Sequence, residues 1–228
     1  MTGTDTGVGK TLVAAGLLRA AADRGLSTAA CKPVAAGCEP GVEGWRNDDA
    51  LLLMRHQTIG QSYAQINPVA LRAAVAPHIA AAEEGVSVSV AQLATHCQRI
   101  LAAQAGLTVI EGAGGWRVPV NDDETLADLA RALALPVVLV VGMRLGCINH
   151  ALLSAEAIRR DGLTLAGWVA NRIDATMPVF DANLATLDAR LGAPRLGLVP
   201  WLASLDIGAV AACLDLGPVI GGCGPIAN

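Results

Sequence analysis

The sequence predicts an α/β fold of three layers, a parallel sheet between two layers of helices. Three observations carry that prediction. Near the amino end, Gly3-Thr4-Asp5-Thr6-Gly7-Val8-Gly9-Lys10-Thr11 is a glycine-rich turn that opens directly onto a helical pattern. Further along, short apolar runs alternate with stretches of helical period, which is the grammar of strands joined by crossover helices. The apolar run Leu107–Glu111 also ends in Gly112-Ala113-Gly114-Gly115, and ligands in such folds sit at the carboxyl ends of strands.

The elements follow in order. Residues Thr11 to Arg24 carry Leu12, Val13, Leu17 and Leu18 among alanines and stop before Gly25, a helix with a left-handed glycine past its end. A strand is expected over Ser27–Cys31, a turn at Lys32-Pro33 and a helix over Asp48–His56. The segment from there to Val90 matches neither period. Beyond it the periods predict a helix over Val90–Ala105, then strands over Leu107–Glu111, Pro136–Gly142, Leu165–Ala170 and Arg195–Val199, with helices over Ile148–Arg160 and Pro178–Leu191 between them. No structure is predicted for the tail after about residue 202, including Gly221-Gly222-Cys223-Gly224-Pro225. A phosphate loop ordinarily follows a buried strand, yet only Met1 and Thr2 precede Gly3. Most of the first strand is therefore missing from the pattern, and the natural protein is expected to begin upstream with an apolar strand of about five residues.

The 228 residues form a single expected domain, since no linker-like composition divides them. With 53% hydrophobic and 16% charged residues the chain has ample core-forming material. A net charge of −4 without a basic cluster argues against a nucleic-acid surface. The longest strongly apolar run, Leu133 to Met143, falls far short of the roughly 20 residues of a membrane span. The six cysteines form no Cys-x-x-Cys pair and no cluster with histidine, and no signal peptide is visible, so a reduced, cytoplasmic protein is expected.

In a phosphate loop, successive backbone N–H groups face the phosphates, the lysine neutralises the outer ones and the hydroxyl beside it helps to hold magnesium. Lys10 and Thr11 suit those roles, although Gly3 stands one residue earlier than the common Gly-x-x-x-x-Gly-Lys-Thr spacing requires. Magnesium takes carboxylates, phosphate oxygens and water, and two carboxylates are well placed. Glu111 ends an apolar strand, where a lone acid is costly without a counterion, and Asp49 begins a helix, where an acid is also favoured by the helix dipole alone. Lys32 at a strand end is either a second cation for a transferring phosphoryl group or a surface lysine. Asn171 is either a reader of a nucleobase edge or a turn residue. Gly146-Cys147-Ile148-Asn149 offers helix-start N–H groups to a carboxylate, unless Asn149 is only a cap. His78 and His150 lack companions at metal-ligand spacing.

Seven segments in order resemble the dethiobiotin synthetase family: Gly3 to Thr11, Lys32-Pro33-Val34-Ala35, Arg46-Asn47-Asp48-Asp49-Ala50, Glu111 to Trp116, Leu145 to His150, Gly167 to Asn171 and Pro200-Trp201-Leu202. The resemblance implies a phosphate-loop fold and a homodimer that joins 7,8-diaminononanoate and carbon dioxide with ATP, through a phosphorylated carbamate, into a cyclic urea. It implies catalytic roles for Thr6, Lys10 and Lys32, and magnesium held by Thr11, Asp49 and Glu111. Contacts to ATP are implied at Gly7, Val8, Gly9, Lys10, Thr11, Asp49, Glu111, Gly112, Ala113, Gly114, Asn171, Arg172, Pro200, Trp201 and Leu202. Substrate contacts are implied at Ala36, Gly146, Cys147 and Asn149, the last three from the partner subunit. The chain departs from the family at Gly7, where an acid is common, at Ala36, where a hydroxyl is expected, and in the tail beyond Leu202. Competing readings are a related ATP-dependent amide ligase, a partition-type switch ATPase and an inactive scaffold. The switch class typically carries a lysine early in the loop, and none lies between Gly3 and Gly9.

Overall fold

A computed structural model describes residues 1–220. The tail residues from Gly221 onward lie outside the described residues. In chain order the elements are β1 (Thr2–Gly3), α1 (Lys10–Asp23), β2 (Thr28–Cys31), β3 (Val34–Ala35), β4 (Glu39–Gly41), β5 (Gly44–Arg46), α2 (Asp48–His56), α3 (Tyr63–Ile66), β6 (Val69–Ala70) and α4 (Pro77–Glu84). There follow α5 (Val90–Leu101), β7 (Leu107–Ile110), α6 (Leu126–Leu133), β8 (Val137–Gly142), α7 (Cys147–Arg160), β9 (Leu165–Asn171), α8 (Phe180–Arg190), β10 (Arg195–Val199), α9 (Ile207–Ala212) and α10 (Gly217–Ile220).

The expected α/β architecture is present, with parallel strands in one sheet of order β1-β8-β9-β10, a second of β2-β7 and a short pair β3-β6, beside an antiparallel pair β4-β5. Met1 joins the two: its amino group donates to the Ile110 carbonyl, and its own carbonyl accepts from the Gly112 N–H at 3.0 Å. β1 is only two residues long, with Thr2 opposite Leu139 and Gly3 opposite Val140.

Strand β8 shows why an unbroken apolar run belongs here. Its alternate residues Val137, Leu139 and Val141 pack with Ala151, Ala155 and Ile158 of α7, whereas Val138 and Val140 pack with Val13 and Leu17 of α1. A strand buried on both faces needs hydrophobic residues at every position, and each neighbour in the run serves a different helical layer. On the α1 side, Val210 and Leu214 of the tail seal the layer, and Gly16 is small enough to let α9 approach α1: a Cβ there would lie 2.6 Å from Val210.

Several boundaries shift for local reasons. β8 begins at Val137 rather than at Pro136, which has no N–H to give to a ladder. α5 stops at Leu101 instead of Ala105, because the chain reverses through Gln104 at φ 50 to reach β7. α8 starts at Phe180 rather than Pro178, with Val179 in the left-handed region at φ 48 before it. α6 is a helix not among those predicted, although Leu126, Leu129 and Leu133 recur at helical spacing and Thr125 and Asp128 close a capping box at its start. The unassigned middle segment folds as α3, β6 and α4, and the tail after Leu202 contributes α9 and α10.

Candidate active site

Glycines shape the phosphate loop. Gly7 and Gly9 take φ of 73° and 84°, in the region that glycine enters without strain, and Gly9 caps α1 by accepting from the Val13 N–H at 3.0 Å. Behind the loop stands Asn171 from the end of β9, its side-chain amide donating to the Val8 carbonyl at 2.9 Å. Asp5 ties the loop to the turn after β8 through an ion pair with Arg144. Lys10 curls back and donates to the Asp5 carbonyl at 2.9 Å.

The ends of β2 and β7 deliver the central charges. Lys32 follows β2 and is buried; Glu111 follows β7 and is fully buried. Lys32 Nζ lies 2.8 Å from Glu111 Oε1 and 2.9 Å from Asp49 Oδ2, and the Thr11 hydroxyl donates to Glu111 Oε1 at 2.8 Å. Asp49 sits in the first turn of α2, whose start is capped by Asn47 Oδ1 accepting from the Ala50 N–H at 3.3 Å. One cluster thus gathers two cations, two carboxylates and a hydroxyl from four separated segments. The surface reading of Lys32 is excluded by its burial, and Asp49 is more than a helix-start acid because it faces Lys32.

Burial pulls the Lys32 ammonium toward neutrality, but the Glu111 and Asp49 carboxylates outweigh it and the pKa ends above the ordinary lysine value. Burial also lowers Lys10, and there the Glu111 carboxylate does not offset it, with Lys32 adding a like charge. Burial raises Asp49, yet Lys32 and the Thr11 hydroxyl bring it below the ordinary aspartate value.

These directions fix a pH dependence. A depressed Asp49 contributes stability above its unfolded pKa, about 3.9, and loses it as pH falls through the lower folded value; a raised Lys32 contributes below about 10.4 and loses it as pH rises through the higher folded value. The pair therefore stabilises the fold throughout the interval between, and Asp49→Asn should flatten the acid limb of melting temperature against pH below about 4. A limb of unchanged slope in that variant would mean that other carboxylates govern acid unfolding.

Lys10, Thr11, Lys32 and Asp49 open on a cleft of about 750 Å³, which Thr6, Gly7, Gly9, Ala36, Ala113 and Gly114 also line. Gly114, at φ 61, packs so closely that a Cβ would stand 2.9 Å from Val118 and 3.4 Å from the Thr6 hydroxyl oxygen. Gly112 lies against Met1 behind this wall. Thr11, Asp49 and Glu111 form a set of hard oxygen donors, and Glu111 Oε2 is buried without a hydrogen-bond partner. That donor set fits magnesium, which also takes phosphate oxygens and water.

On the far side of the phosphate loop, the Arg172 N–H donates to the Val199 carbonyl at 2.9 Å, drawing Asn171 and Arg172 beside Pro200, Trp201 and Leu202. Trp201 is half exposed there. The Arg172 guanidinium is held by Phe180, 4.8 Å beneath it, and by the Asp174 and Ala175 carbonyls. Gly146 and Asn149 are exposed at the start of α7 and do not line the cleft. Cys147 corrects the sequence expectation: its side chain is buried in the core between α7 and β8, and its N–H is bonded to the Arg144 carbonyl at 3.0 Å. Asn149 is not the cap of α7 either, for that position is Gly146 at φ 94. The periods also miss Arg144 and the Ala74–Pro77 wall of the cleft, neither of which belongs to a strand-end motif.

Comparison with known proteins agrees with this geometry. A family model described as "AAA domain" matches residues 1–207. The ATP-dependent dethiobiotin synthetase BioD of Pseudomonas aeruginosa (strain UCBPP-PA14) is 60% identical over 219 residues, 96% of each chain. The protein of the same name from Cellvibrio japonicus (strain Ueda107) is 60% identical over 220 residues, again 96% of each. Aligned spans of that length reach past Leu202 into the tail. Among solved structures, a ParA family ATPase from Chlorobium tepidum superposes with a TM-score of 0.55 at 10% identity, covering 97% of this chain and 92% of that one. The MinC:MinD complex of Aquifex aeolicus gives 0.54 at 16% identity, covering 94% and 85%. At such identities these two establish the fold alone, that of phosphate-loop nucleotide hydrolases. Sequence identity over almost its full length, and the cluster that Lys10, Lys32, Asp49 and Glu111 form, place the function elsewhere: the chain belongs to the ATP-dependent dethiobiotin synthetase family.

Proposed function

We propose that the chain uses ATP to carboxylate 7,8-diaminononanoate and close it to dethiobiotin, the step of biotin synthesis that forms the cyclic urea. The observation that carries this reading is the meeting of Lys10, Lys32, Thr11, Asp49 and Glu111 beside a cleft of about 750 Å³.

One substrate amine attacks carbon dioxide and loses a proton, giving a carbamate. A carbamate oxygen then attacks the γ-phosphorus of ATP, and the bond to the β-phosphate oxygen breaks to release ADP. The second amine attacks the carbonyl of the resulting mixed anhydride, phosphate leaves, and a five-membered cyclic urea remains. Negative charge moves across the phosphoryl group during the transfer, so fixed cations on either side of it lower the barrier. Lys10 reaches this charge from the loop and Lys32 from the end of β2. The Lys10 contact to the Asp5 carbonyl is one that a phosphate oxygen would replace. Thr6 supplies a hydroxyl at the cleft wall for the carbamate or phosphate. Thr11, Asp49 and Glu111 would hold magnesium, which supplies further charge neutralisation on the phosphate oxygens.

Asn171, Arg172 and Pro200-Trp201-Leu202 take the nucleoside. Gly146 and Asn149 serve the substrate carboxylate of a second subunit, so the working form is a homodimer, in the cytoplasm. Leu145, 93% exposed beside Gly146, supplies apolar surface for that contact. Where the family commonly has an acid, Gly7 faces open space, and the hydroxyl absent at Ala36 leaves a methyl on the cleft wall.

Incubation of the purified protein with labelled bicarbonate, magnesium-ATP and diaminononanoate is expected to give a labelled cyclic urea with one ADP formed per ring. Folded, ATP-binding protein that forms no labelled ring refutes the proposal.

A further inference from the structure

The segment after Glu111 runs alongside the phosphate loop. Ala113, Gly114 and Val118 line the cleft, a Cβ on Gly114 would stand 3.4 Å from the Thr6 hydroxyl oxygen, and one on Gly115 would stand 3.6 Å from the Gly3 carbonyl oxygen. Its placement therefore sets one wall of the phosphate site. Backbone hydrogen bonds hold both ends of the segment, from the Gly112 N–H to the Met1 carbonyl at 3.0 Å and from the Leu126 N–H to the Val118 carbonyl at 2.8 Å. Between those ends, among the described residues, no backbone group from Ala113 to Arg117 bonds outside the turn. The remaining ties come from two side chains and end on one carboxylate. Trp116 Nε1 donates to Asp161 Oδ2 at 2.7 Å, and Arg117 Nη2 donates to Asp161 Oδ1 at 2.8 Å.

Asp161 stands where its own helix does not favour an acid. It is the carboxyl-terminal cap of α7, whose last turn carries Arg159 and Arg160. Unpaired carbonyls give that end of a helix a partial negative charge, which favours the arginines and opposes a carboxylate. Trp116 and Arg117 offset that repulsion from 45 and 44 residues away in the sequence. The two arms differ in kind. The Arg117 side chain is 51% exposed, so water screens its ion pair, whereas Trp116 is buried in the core that α7 shares with β8. Without the Asp161 acceptor the Trp116 N–H is a buried donor left unpaired, and the ring must move toward water to satisfy it, drawing Gly114 and Gly115 away from the phosphate loop.

We propose that Asp161 is a positioning residue for the phosphate site: through Trp116 it fixes the Ala113–Gly115 turn against the phosphate loop and so sets how magnesium-ATP is held beside Lys10. Asp161 does not itself line the cleft. The inference rests on the proposed function for its nucleotide, and it gives the glycine turn a support outside the residues that touch the reactants.

The test measures kcat, the KM for ATP and the calorimetric affinity for magnesium-ATP in the unaltered chain, Asp161→Ala, Asp161→Asn, Trp116→Phe and the double variant Asp161→Ala with Trp116→Phe. Asp161→Ala should lose about 10² in kcat/KM for ATP, the scale of a displacement near 1 Å, and should bind magnesium-ATP about tenfold more weakly. Asp161→Asn keeps an oxygen for the Trp116 N–H and should stay within about threefold of the unaltered chain. Trp116→Phe breaks the tie without stranding a donor and should lose about tenfold, with no more than about threefold further loss when Asp161→Ala is added. The double variant should therefore be more active than Asp161→Ala alone. Melting curves confirm that each variant is folded at the assay temperature. Kinetics and affinity in Asp161→Ala within about twofold of the unaltered chain, whatever its melting temperature, make the tie purely structural and overturn the inference. Losses that multiply in the double variant, or an Asp161→Asn as impaired as Asp161→Ala, overturn it as well. Absence of cyclic urea from the unaltered chain overturns the proposed function instead, and the magnesium-ATP affinities then decide the role of Asp161.

Discussion

Lys32→Ala is expected to cut turnover by about 10² to 10³, the scale on which one fixed electrostatic contact acts in a transition state. Sequence alone suggests that this variant folds normally; the structure adds a second effect. Lys32 is the ion-pair partner of Glu111, which is fully buried, and removal of one member of a buried pair leaves an uncompensated charge. A loss of about 3 kcal/mol follows, which for a chain of this size lowers the melting temperature by roughly 6–12 °C. The two effects separate in the double variant Lys32→Met with Glu111→Gln. Removing both charges should return most of the lost stability while turnover stays low, since neither the phosphoryl-facing cation nor the carboxylate is present. Melting curves and kcat on the same preparations decide the matter. Should Lys32→Ala be as active as the unaltered chain, Lys32 would be a structural counterion only.

That double role explains how much of the site was legible before the fold was known. Glu111 stands out as a lone acid at the end of an apolar run beside glycines, and Lys32 follows a short apolar strand; both are strand ends, where a parallel sheet puts its ligands. What sequence leaves open is their meeting, because 79 residues separate them and only the pairing of β2 with β7 sets them side by side. Strands buried on both faces are equally plain, as β8 is, since every position in the run is apolar.

Legibility fails where an element is short or its partner is distant. β3 and β6 have two residues each and exist only because they pair with one another, so no period in the intervening chain announces the wall that ends at Pro77. Helix α9 is too short for a long apolar period and carries an end signal instead, Asp206 Oδ1 accepting from the Ala209 N–H at 3.0 Å, whereas α6 is legible both from Leu126, Leu129 and Leu133 at helical spacing and from the capping box of Thr125 with Asp128. Cys147 was misplaced for a different reason. A helix start offers N–H groups in general, but the tight turn from Arg144 uses that of Cys147 and aims its thiol into the core.

Gly9→Ala should be the most damaging conservative change in the phosphate loop, and Gly7→Ala its control. Both glycines have positive φ, 73° at Gly7 and 84° at Gly9, so either alanine bears the strain of a left-handed backbone, of the order of 1–2 kcal/mol. Their surroundings differ. A Cβ at Gly7 meets nothing within 4 Å, whereas one at Gly9 would stand 2.1 Å from the Asn171 amide nitrogen. That amide also holds the Val8 carbonyl, so displacing it releases the loop from β9 two residues before Lys10, the lysine proposed to face the phosphates. Displacements near 1 Å in a positioned group cost about 10² in rate, and Gly9→Ala should lose about that much in kcat/KM for ATP. Gly7→Ala, with strain but no collision, should lose about tenfold or less. Asn171→Ala added to Gly9→Ala removes the collision without relieving the backbone, and should therefore recover part of the loss even though Asn171 is proposed to contact the nucleotide. Equal losses in the two single variants would mean that backbone conformation alone governs the loop and that Asn171 does not brace it.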